Sequence, residues 1–432
     1  MKLCIGALIS MFWWGIFGGG EESERQSTSQ EPTTWFWEPG YLDIHHINTG
    51  GGDATFFIFP DGTTMLFDAG AMDQETFDKK WTPLKSTPNY PSDSLTAGQW
   101  IVHYIDQVMP KNRERGIDYA VISHFHSDHY GHVDRQTKFS KSGDYRLSGI
   151  TEVAELIPIE TLIDRAAPGY DYPKDLRAYY TRQKDTTFLN YLGFVKHRKA
   201  QNKEVEGLNT GANDQIQLKF SPKKYASFEV RNVKNNENIW TGIESESFRY
   251  LHKDSVLTKN GKFNENPLSL ALKVSYGPFD YFTGGDMTGL QGYGLPTWFD
   301  VETPVAKAVG KVEALTLNHH GNRDATNQNF VDRLDPKVVI QQSWCSDHPG
   351  QEVFYRLANK RKDESPRDIF ATTIHKETEV TLGPWFTNAY KSMAGHVMIR
   401  VKPGGKEYLV YILESDHTGL KIKNKFGPYL SG

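Results

Sequence analysis

The sequence predicts an α/β sandwich made of two halves, each of which mixes strands and helices. The chain opens with short apolar strands, later alternates strands with helices, and places metal-ligand side chains directly after several strands. Alternating apolar residues predict strands, and apolar residues three or four positions apart predict helices. Two mixed halves of this kind bury their apolar faces by packing sheet on sheet with the helices outside.

Composition sets the broad class of the protein. The 432 residues suffice for one large domain or two ordinary ones, and aromatic residues make up 13% of them. The formal net charge of −4 lacks the positive excess that is typical of nucleic-acid binders, although a local basic groove is compatible with it. Two cysteines, Cys4 and Cys345, are too few for a disulfide-stapled scaffold or a cysteine-rich zinc site.

The amino-terminal residues differ in kind from the rest of the chain. Residues 1–20 combine a basic start with an apolar run from Leu3 to Phe17, which predicts a signal peptide or an N-terminal membrane anchor. We therefore expect an exported protein that is periplasmic, extracellular or membrane-anchored. Residues 21–36 are rich in Glu, Ser, Thr and Gln and predict a flexible linker. The folded domain is expected over residues 37–432.

The first half reads as a β-meander, a helix and a buried strand. The patterns predict strands at 42–47, 54–59, 64–67 and 118–122, with a helix at 98–109. Asp53 and Asp68 fall at strand ends, where active-site groups often collect. For Asp53 a turn role is favoured, whereas for Asp68 a turn role and support of a metal ligand are equally open.

The remainder of the chain continues the mixed pattern. Residues 135–265 are less regular and are expected in part to form an insertion; within them we predict helices at 152–157 and 174–201 and strands at 161–163, 215–220 and 228–233. Further along, the patterns predict strands at 268–275, 280–283, 312–317 and 337–341, a helix at 351–360, and a terminal hairpin of 396–401 and 407–413.

A dense group of metal-ligand side chains follows the strand at 118–122. The order His124-x-His126-x-Asp128-His129 places three imidazoles and a carboxylate within six positions. These groups are the ligands that divalent cations such as zinc and manganese prefer. Alternate side chains of an extended segment share one face, and His129 can reach a second position where the chain turns. One loop could therefore serve two adjacent metal ions.

A second group of ligand types occurs at strand ends in the second half. Asp286 follows Gly284-Gly285, which let the backbone pass close to a site, and His319-His320-Gly321 follows the strand at 312–317. A carboxylate such as Asp286 can bridge two cations with its two oxygens, and an imidazole can complete the second cation's shell.

Taken in order along the chain, these motifs resemble the metallo-β-lactamase superfamily. The histidine motif carries the resemblance to the superfamily, and the Gly-Gly-Asp and His-His-Gly elements are similar to those of its ComEC-like branch, the metal-dependent hydrolase domain of DNA-uptake competence proteins. The resemblance covers residues from about Leu42 onward. It implies an αβ/βα four-layer sandwich with an insertion between the two halves.

The resemblance also implies a ligand set. His124 and His126 would bind one metal, Asp128 and His129 the other, and Asp286 would bridge them. His320 is favoured as the last ligand of the second metal, with His319 as the alternative. The superfamily usually has a further histidine on the first metal, and none is evident here. Asp164, at the end of the strand at 161–163, is the candidate for this position. Its alternative role is to cap a turn.

The implied function is that of a hydrolase. Two divalent ions, zinc or alternatively manganese, would supply a hydroxide, which Asp128 could also orient as a catalytic residue. A phosphodiester is the favoured substrate, cleaved by a nuclease or a phosphocholine-esterase-like enzyme. Hydrolysis of esters, lactones or amides and a non-catalytic binding role are the alternatives. A choline group would need an aromatic cage, for which Tyr293, Trp298 and Trp344 are available. No obligate protein partner is implied.

Overall fold

In the computed structural model, which describes residues 35–290 and 295–432, two nine-stranded β-sheets pack face to face. The predicted signal peptide or anchor lies outside the described residues, as does the predicted linker up to residue 34. Trp35, near the end of that linker, is buried against Tyr411. Among the described residues, no helix has both the length and the apolar character needed to cross a membrane.

The strands follow the chain in three blocks. The first block enters the first sheet and comprises β1 (Leu42–His46), β2 (Thr55–Ile58), β3 (Thr64–Phe67), β4 (Ile117–Ile122), β5 (Ile159–Asp164) and β6 (Glu204–Gly207). The second block forms the second sheet and comprises β7 (Phe228–Asn235), β8 (Asn238–Trp240), β9 (Ser247–Arg249), β10 (Ala271–Tyr276), β11 (Phe279–Thr283), β12 (Ala314–Thr316), β13 (Val338–Gln341), β14 (Asp368–Ala371) and β15 (Tyr390–Ser392). The last block returns to the first sheet and comprises β16 (His396–Val401), β17 (Glu407–Leu413) and β18 (Ile422–Leu430).

Each sheet contains a parallel half and an antiparallel half. The first sheet has the order β18-β17-β16-β1-β2-β3-β4-β5-β6, and β3 to β6 run parallel. The second has the order β15-β14-β13-β12-β11-β10-β7-β8-β9, and β11 to β15 run parallel. The segment 135–265 thus contributes β5 and β6 to one sheet and β7 to β9 to the other.

Helices lie on the outer faces of both sheets and at the rim between them. They are α1 (Gln74–Lys80), α2 (Ala97–Val108), α3 (Ser127–Tyr130), α4 (Ile150–Leu156), α5 (Leu176–Gln183), α6 (Thr186–Ala200), α7 (Lys253–Val256), α8 (Glu302–Val309), α9 (Gln328–Leu334), α10 (Gln351–Ala358), α11 (Lys376–Leu382) and α12 (Pro384–Thr387). On the first sheet, Phe56 and Leu66 pack with Ile101 of α2 and Phe188 of α6. On the second sheet, residues of α8, α9 and α10 complete a similar core.

The inner faces of the two sheets form a third apolar core. Phe57 and Phe67 of the first sheet pack in one cluster with Tyr281, Val338 and Phe370 of the second. Strands buried on both faces read as nearly continuous apolar runs, which is why β4 and β13 are apolar almost throughout. The predicted four-layer αβ/βα sandwich is therefore confirmed.

Some predicted elements differ from the structure. Residues 215–220, predicted as a strand, pair with no ladder, because side chains of the turn between β2 and β3 bind their backbone. The N–H groups of Lys219 and Phe220 donate to Thr63 Oγ1 and Asp61 Oδ2 at 2.8 Å each. The helix predicted at 174–201 is two helices, since Lys184 adopts a left-handed conformation between them. The terminal hairpin belongs to the first sheet, where β16 pairs antiparallel with β1.

Candidate metal centre

The ends of four parallel strands meet at one rim of the sandwich. Asp68 follows β3 and the histidine loop follows β4, both in the first sheet, whereas Asp286 follows β11 and His320 follows β12 in the second. Loops at the carboxyl ends of parallel strands are the usual ligand-binding edge of α/β sheets. The sequence motifs, remote from one another along the chain, therefore meet across the interface between the sheets.

Two groups of ligand atoms form at this rim, and they share Asp286. His124, His126 and Asp286 make the first set; Asp128, His129, Asp286 and His320 make the second. Within each set, one ligand atom from every residue lies within 4.8 Å of the others. All of these side chains are buried except that of His126, which is partly exposed to the cleft.

The two oxygens of the Asp286 carboxylate face different sets. Its Oδ2 lies 3.6 Å from His124 Nε2. Its Oδ1 lies 3.0 Å from His129 Nε2 and 3.6 Å from His320 Nε2. Asp128 Oδ2 completes the second set at 3.0 Å from His320 Nε2 and 3.7 Å from His129 Nε2. This arrangement is the one that a carboxylate bridging two cations requires.

Unsatisfied buried atoms indicate that the ligand atoms converge on a cation. His129 Nε2 and Asp286 Oδ1 are both buried and lie 3.0 Å apart, yet they are not aligned as a hydrogen bond, and neither has another partner. A buried polar atom without a partner is costly, and a native protein retains one where a ligand satisfies it. The donor set of imidazoles and carboxylates suits zinc or manganese. The residues present therefore fit two divalent cations.

The electrostatics of the second set also favour a cation. Burial opposes the ionisation of Asp286, but His129 and His320 outweigh it and hold the pKa of this carboxyl well below its usual range. Burial likewise opposes the charging of His129 and His320, but Asp286 is the strongest of the groups that raise the pKa of both imidazoles well above normal. Two carboxylates are thus balanced by two imidazolium groups, and a divalent cation can replace the Nε2 protons. In the first set, burial holds the pKa of His124 well below normal, so its imidazole is neutral and able to bind metal.

Asp68 orients His129 from behind. Its Oδ2 accepts a hydrogen bond from His129 Nδ1 at 2.8 Å, while the backbone N–H and hydroxyl of Ser123 donate to the same carboxylate at 2.7 Å each. A carboxylate on the remote imidazole nitrogen fixes the tautomer and directs Nε2 toward the metal. Of the two roles left open by the sequence, Asp68 therefore has the one that supports a ligand.

Asp53 supports the His320 imidazole in the way that Asp68 supports His129, whereas the sequence favoured a turn role for Asp53. His320 Nδ1 lies 3.0 Å from Asp53 Oδ1 and 3.0 Å from the carbonyl oxygen of Gln342, while Nε2 faces Asp128. The sequence signal was present, because Asp53 ends a glycine-rich turn before β2. Its partner lies 267 positions away, so the contact itself was not predictable.

Two glycines hold the backbone of the histidine loop at short range. A Cβ at Gly70 would lie 2.0 Å from the Asp128 carbonyl oxygen, and one at Gly52 would lie 2.2 Å from the same atom. Gly52 also has a φ of +139°, which side chains disfavour. The Asp53 N–H donates to that carbonyl at 2.8 Å. The position of Asp128 therefore depends on the absence of side chains at both glycines.

His319 lies beside the ligand sets without joining either. Its Nδ1 lies 2.5 Å from Asp324 Oδ1, and its Nε2 lies 3.8 Å from Asp286 Oδ2. The Asn266 amide donates to His319 Nε2 at 3.2 Å, and Asn266 Oδ1 is buried without a partner. Of the two histidines, the structure places His320 in the second ligand set and His319 in the lining of the cleft.

Asp164 is a correction to the sequence prediction, since it belongs to neither ligand set among the described residues. Its Oδ1 accepts hydrogen bonds from the N–H groups of Ala166 and Ala167, and its Oδ2 accepts from the hydroxyls of Tyr170 and Tyr191. With both oxygens engaged, the carboxylate closes the turn after β5. This is the capping role that the sequence left as the alternative.

A cleft of about 430 Å³ opens onto the centre. His126, Asp128, Asp286, Asn322 and His319 line its floor. One part of its wall combines apolar and aromatic side chains with one lysine, namely Met72, Phe77, Lys80, Trp81, Leu84 and Trp344. Of the residues considered for a choline cage, Trp344 lines the cleft, Trp298 packs against the outer core of the second sheet, and Tyr293 lies outside the described residues.

No family model and no curated protein matches this sequence. Among solved structures, the diiron β-hydroxylase CmlA from Streptomyces venezuelae is 14% identical to this chain, with a TM-score of 0.33. The match covers 70% of this chain and 45% of the CmlA chain. Zn²⁺-bound PqqB from Methylobacterium extorquens is 8% identical with a TM-score of 0.35, and the match covers 83% of this chain and 99% of the PqqB chain. Unliganded yeast PDE1 is 11% identical with a TM-score of 0.34, and the match covers 83% of this chain and 98% of the PDE1 chain. This chain thus spans less than half of CmlA. At these values the likenesses carry no argument about the reaction of this chain.

Proposed function

We propose that this protein is a metal-dependent hydrolase of phosphodiesters, of the metallo-β-lactamase type that its motifs resemble. The main support is that the two carboxylate oxygens of Asp286 face different ligand sets. Oδ2 faces His124, and Oδ1 faces His129 and His320. A structural carboxylate would be satisfied by hydrogen bonds, as Asp164 is. Asp286 Oδ1 instead faces the Nε2 atoms of His129 and His320 without an aligned hydrogen bond to either.

Two divalent cations at these sets would supply Lewis-acid stabilisation of developing negative charge and a water of lowered pKa. The role of the chain is to fix the ligands before substrate arrives. Asp68 and Asp53 set the imidazole orientations of His129 and His320, and the two glycines set the position of Asp128. Asp128 lines the cleft, where its carboxylate can accept a proton or orient the attacking water.

The cleft walls support a phosphodiester over a neutral amide. Lys80 provides a cation on the wall, and its ammonium lies 5.1 Å from the Trp81 ring centroid. Phe77 and Trp344 meet edge to face at 4.9 Å on the same wall. An anionic group near Lys80 and the metals, carrying an organic group that contacts the rings, matches these walls. Ester, lactone and amide hydrolysis on the same scaffold remain alternatives for the substrate panel.

The test combines metal content with a substrate panel. Purified protein reconstituted with zinc or manganese is expected to bind two equivalents at the paired centre and to cleave bis-nitrophenyl phosphate faster than lactone or β-lactam substrates. Asp286→Ala is expected to lose both metal binding and at least about 100-fold in kcat/KM, since it removes a ligand from each set. The exposed Asp363→Ala is the matched control, with a carboxylate 56% exposed. Full activity in Asp286→Ala, or cleavage of lactones alone, would refute the proposal.

A further inference from the structure

A second cluster of metal-ligand side chains lies in the wall of the same cleft. Cys345, Asp347 and His348 follow β13, and each offers one ligand atom within 4.8 Å of the other two. The backbone turns tightly here, with the His348 N–H donating to the Cys345 carbonyl at 3.1 Å. The side chains of Cys345 and His348 are buried, at 1% and 2% exposure, and Asp347 is half-buried.

An unsatisfied nitrogen distinguishes this cluster from an ordinary turn. His348 Nδ1 is buried without a hydrogen-bond partner, and His348 Nε2 lies 3.7 Å from Asp347 Oδ1, beyond hydrogen-bond distance. Buried imidazole nitrogens normally find partners, so a missing partner needs a cause. All three residues line the cleft, which gives a solvated ion a route to them.

The chemistry of the three side chains suits one class of ion. A thiolate, an imidazole and a carboxylate supply three ligands, and zinc sites of this kind keep a fourth position open. The sulfur ligand favours zinc or cobalt over magnesium, calcium or manganese. On binding, the sulfur–hydrogen bond breaks, the proton passes to solvent, and the sulfur lone pair forms the bond to the metal, with no change of oxidation state.

The charge of such a site is compatible with its neighbours. The His348 ring stacks on the ring of His320 at 5.0 Å and 21°, so the cluster adjoins the second ligand set. A divalent cation bound by one thiolate and one carboxylate forms a neutral unit. It would therefore add little repulsion to cations held at the paired centre.

We propose that Cys345, Asp347 and His348 form a third metal site, distinct from the paired centre, which takes a zinc-class cation and keeps one coordination position open to the cleft. The open position can accept an anionic or sulfur-containing group of a molecule bound in the cleft. The site does not depend on the phosphodiester reaction, because none of its residues belongs to the paired ligand sets.

Titration of the metal-free chain with Co²⁺ alone, in reducing buffer, tests the site directly. A cysteine ligand gives an intense thiolate-to-cobalt absorption in the near ultraviolet, which imidazole and carboxylate ligands lack. The full chain is expected to bind a third equivalent that carries this absorption. Cys345→Ala should lose the absorption and that equivalent alone, whereas Cys4→Ser, the matched control for the second cysteine of the sequence, should keep both.

Two further variants separate this site from the paired centre. Asp286→Ala should abolish the two Co²⁺ equivalents of the paired centre, which lack the thiolate absorption, and should retain that absorption. Failure of the paired centre is therefore distinguishable from failure of the third site. His348→Gln keeps the thiol and should weaken the third equivalent by at least about tenfold, which covers the case in which Cys345→Ala does not fold. Absence of the absorption in the unaltered chain, or a third equivalent that persists in Cys345→Ala, would overturn the proposal.

Discussion

The contact between Gly70 and the Asp128 carbonyl gives the sharpest test of how the centre is held. In Gly70→Ala the new Cβ would lie 2.0 Å from that oxygen and 2.6 Å from the carbonyl carbon. A carbon and an oxygen normally remain about 3.3 Å apart, so the histidine loop or β3 must move by roughly 1 Å. Both neighbours are backbone in buried segments, and neither can move away by changing rotamer.

The expected cost is larger for activity than for stability. Overpacking of this kind usually destabilises a fold by about 1–3 kcal/mol, which a chain of this size tolerates. When the groups of an active site are displaced by about 1 Å, the reaction rate falls on the order of 100-fold. Gly70→Ala should therefore fold, lose about 100-fold in kcat/KM on bis-nitrophenyl phosphate, and bind its metals more weakly.

Gly51→Ala is the control, because Gly51 is the neighbour of Gly52, the other glycine that packs against the Asp128 carbonyl. Its new Cβ would meet Asn89 Oδ1 at 3.8 Å and the Met72 nitrogen at 3.9 Å, which are ordinary contacts. Far-ultraviolet circular dichroism, thermal unfolding and metal titration of both variants separate a displaced site from a misfolded chain. If Gly70→Ala matched Gly51→Ala in rate and metal affinity, the reasoning that the glycines position Asp128 would be wrong.

Two other predictions address charge and the first metal. Burial raises the pKa of Asp43 to about 7, so between pH 4 and 7 the folded chain keeps a proton that the unfolded chain has released, and stability falls by about 4 kcal/mol as pH rises through this window. Asp43→Asn should therefore flatten the decline of the unfolding free energy from pH 4 to 8, measured by urea titration, and an unchanged slope would contradict the assignment. Asn266 lines the cleft together with His126 of the first set, and its Oδ1 is buried without a partner, so Asn266→Ala should weaken one of the two equivalents of the paired centre by about tenfold in calorimetric titration and leave the other unchanged. Equal weakening of both equivalents, or none, would show that the amide does not act at the first set.

Much of the fold could be predicted because the strands carry their own signal. The strands at 64–67, 396–401 and 407–413 have the predicted bounds, since each is an apolar run bounded by turn residues. The strand predicted at 215–220 had a similar pattern, but Asp61 and Thr63 bind its backbone in place of a neighbouring strand. The terminal hairpin joins the first sheet because β16 pairs with β1, and the two strands are more than 300 positions apart in the chain. No local sequence pattern reveals such a pairing.

The grouping of the candidate ligands could be predicted to a similar extent and for a similar reason. His124, His126, Asp128 and His129 lie in one motif, and Asp286 and His320 each end a strand beside glycine, so residue type and position sufficed. Asp164 met the same criterion but ends β5, next to β4 on the side away from β3, where tyrosine hydroxyls satisfy it. The support that Asp53 gives to His320 depends on three-dimensional contact alone.

The gathering of one centre from both sheets has a consequence for the life of the protein. His124, Asp286 and His320 are far apart in the chain, and the loops that separate them close only when the two sheets have docked. A disordered chain cannot assemble this set, so cations held here would bind the native state alone and would raise the free energy of unfolding by mass action. Chelation should consequently hasten proteolysis, and zinc or manganese supply would govern how long each molecule persists.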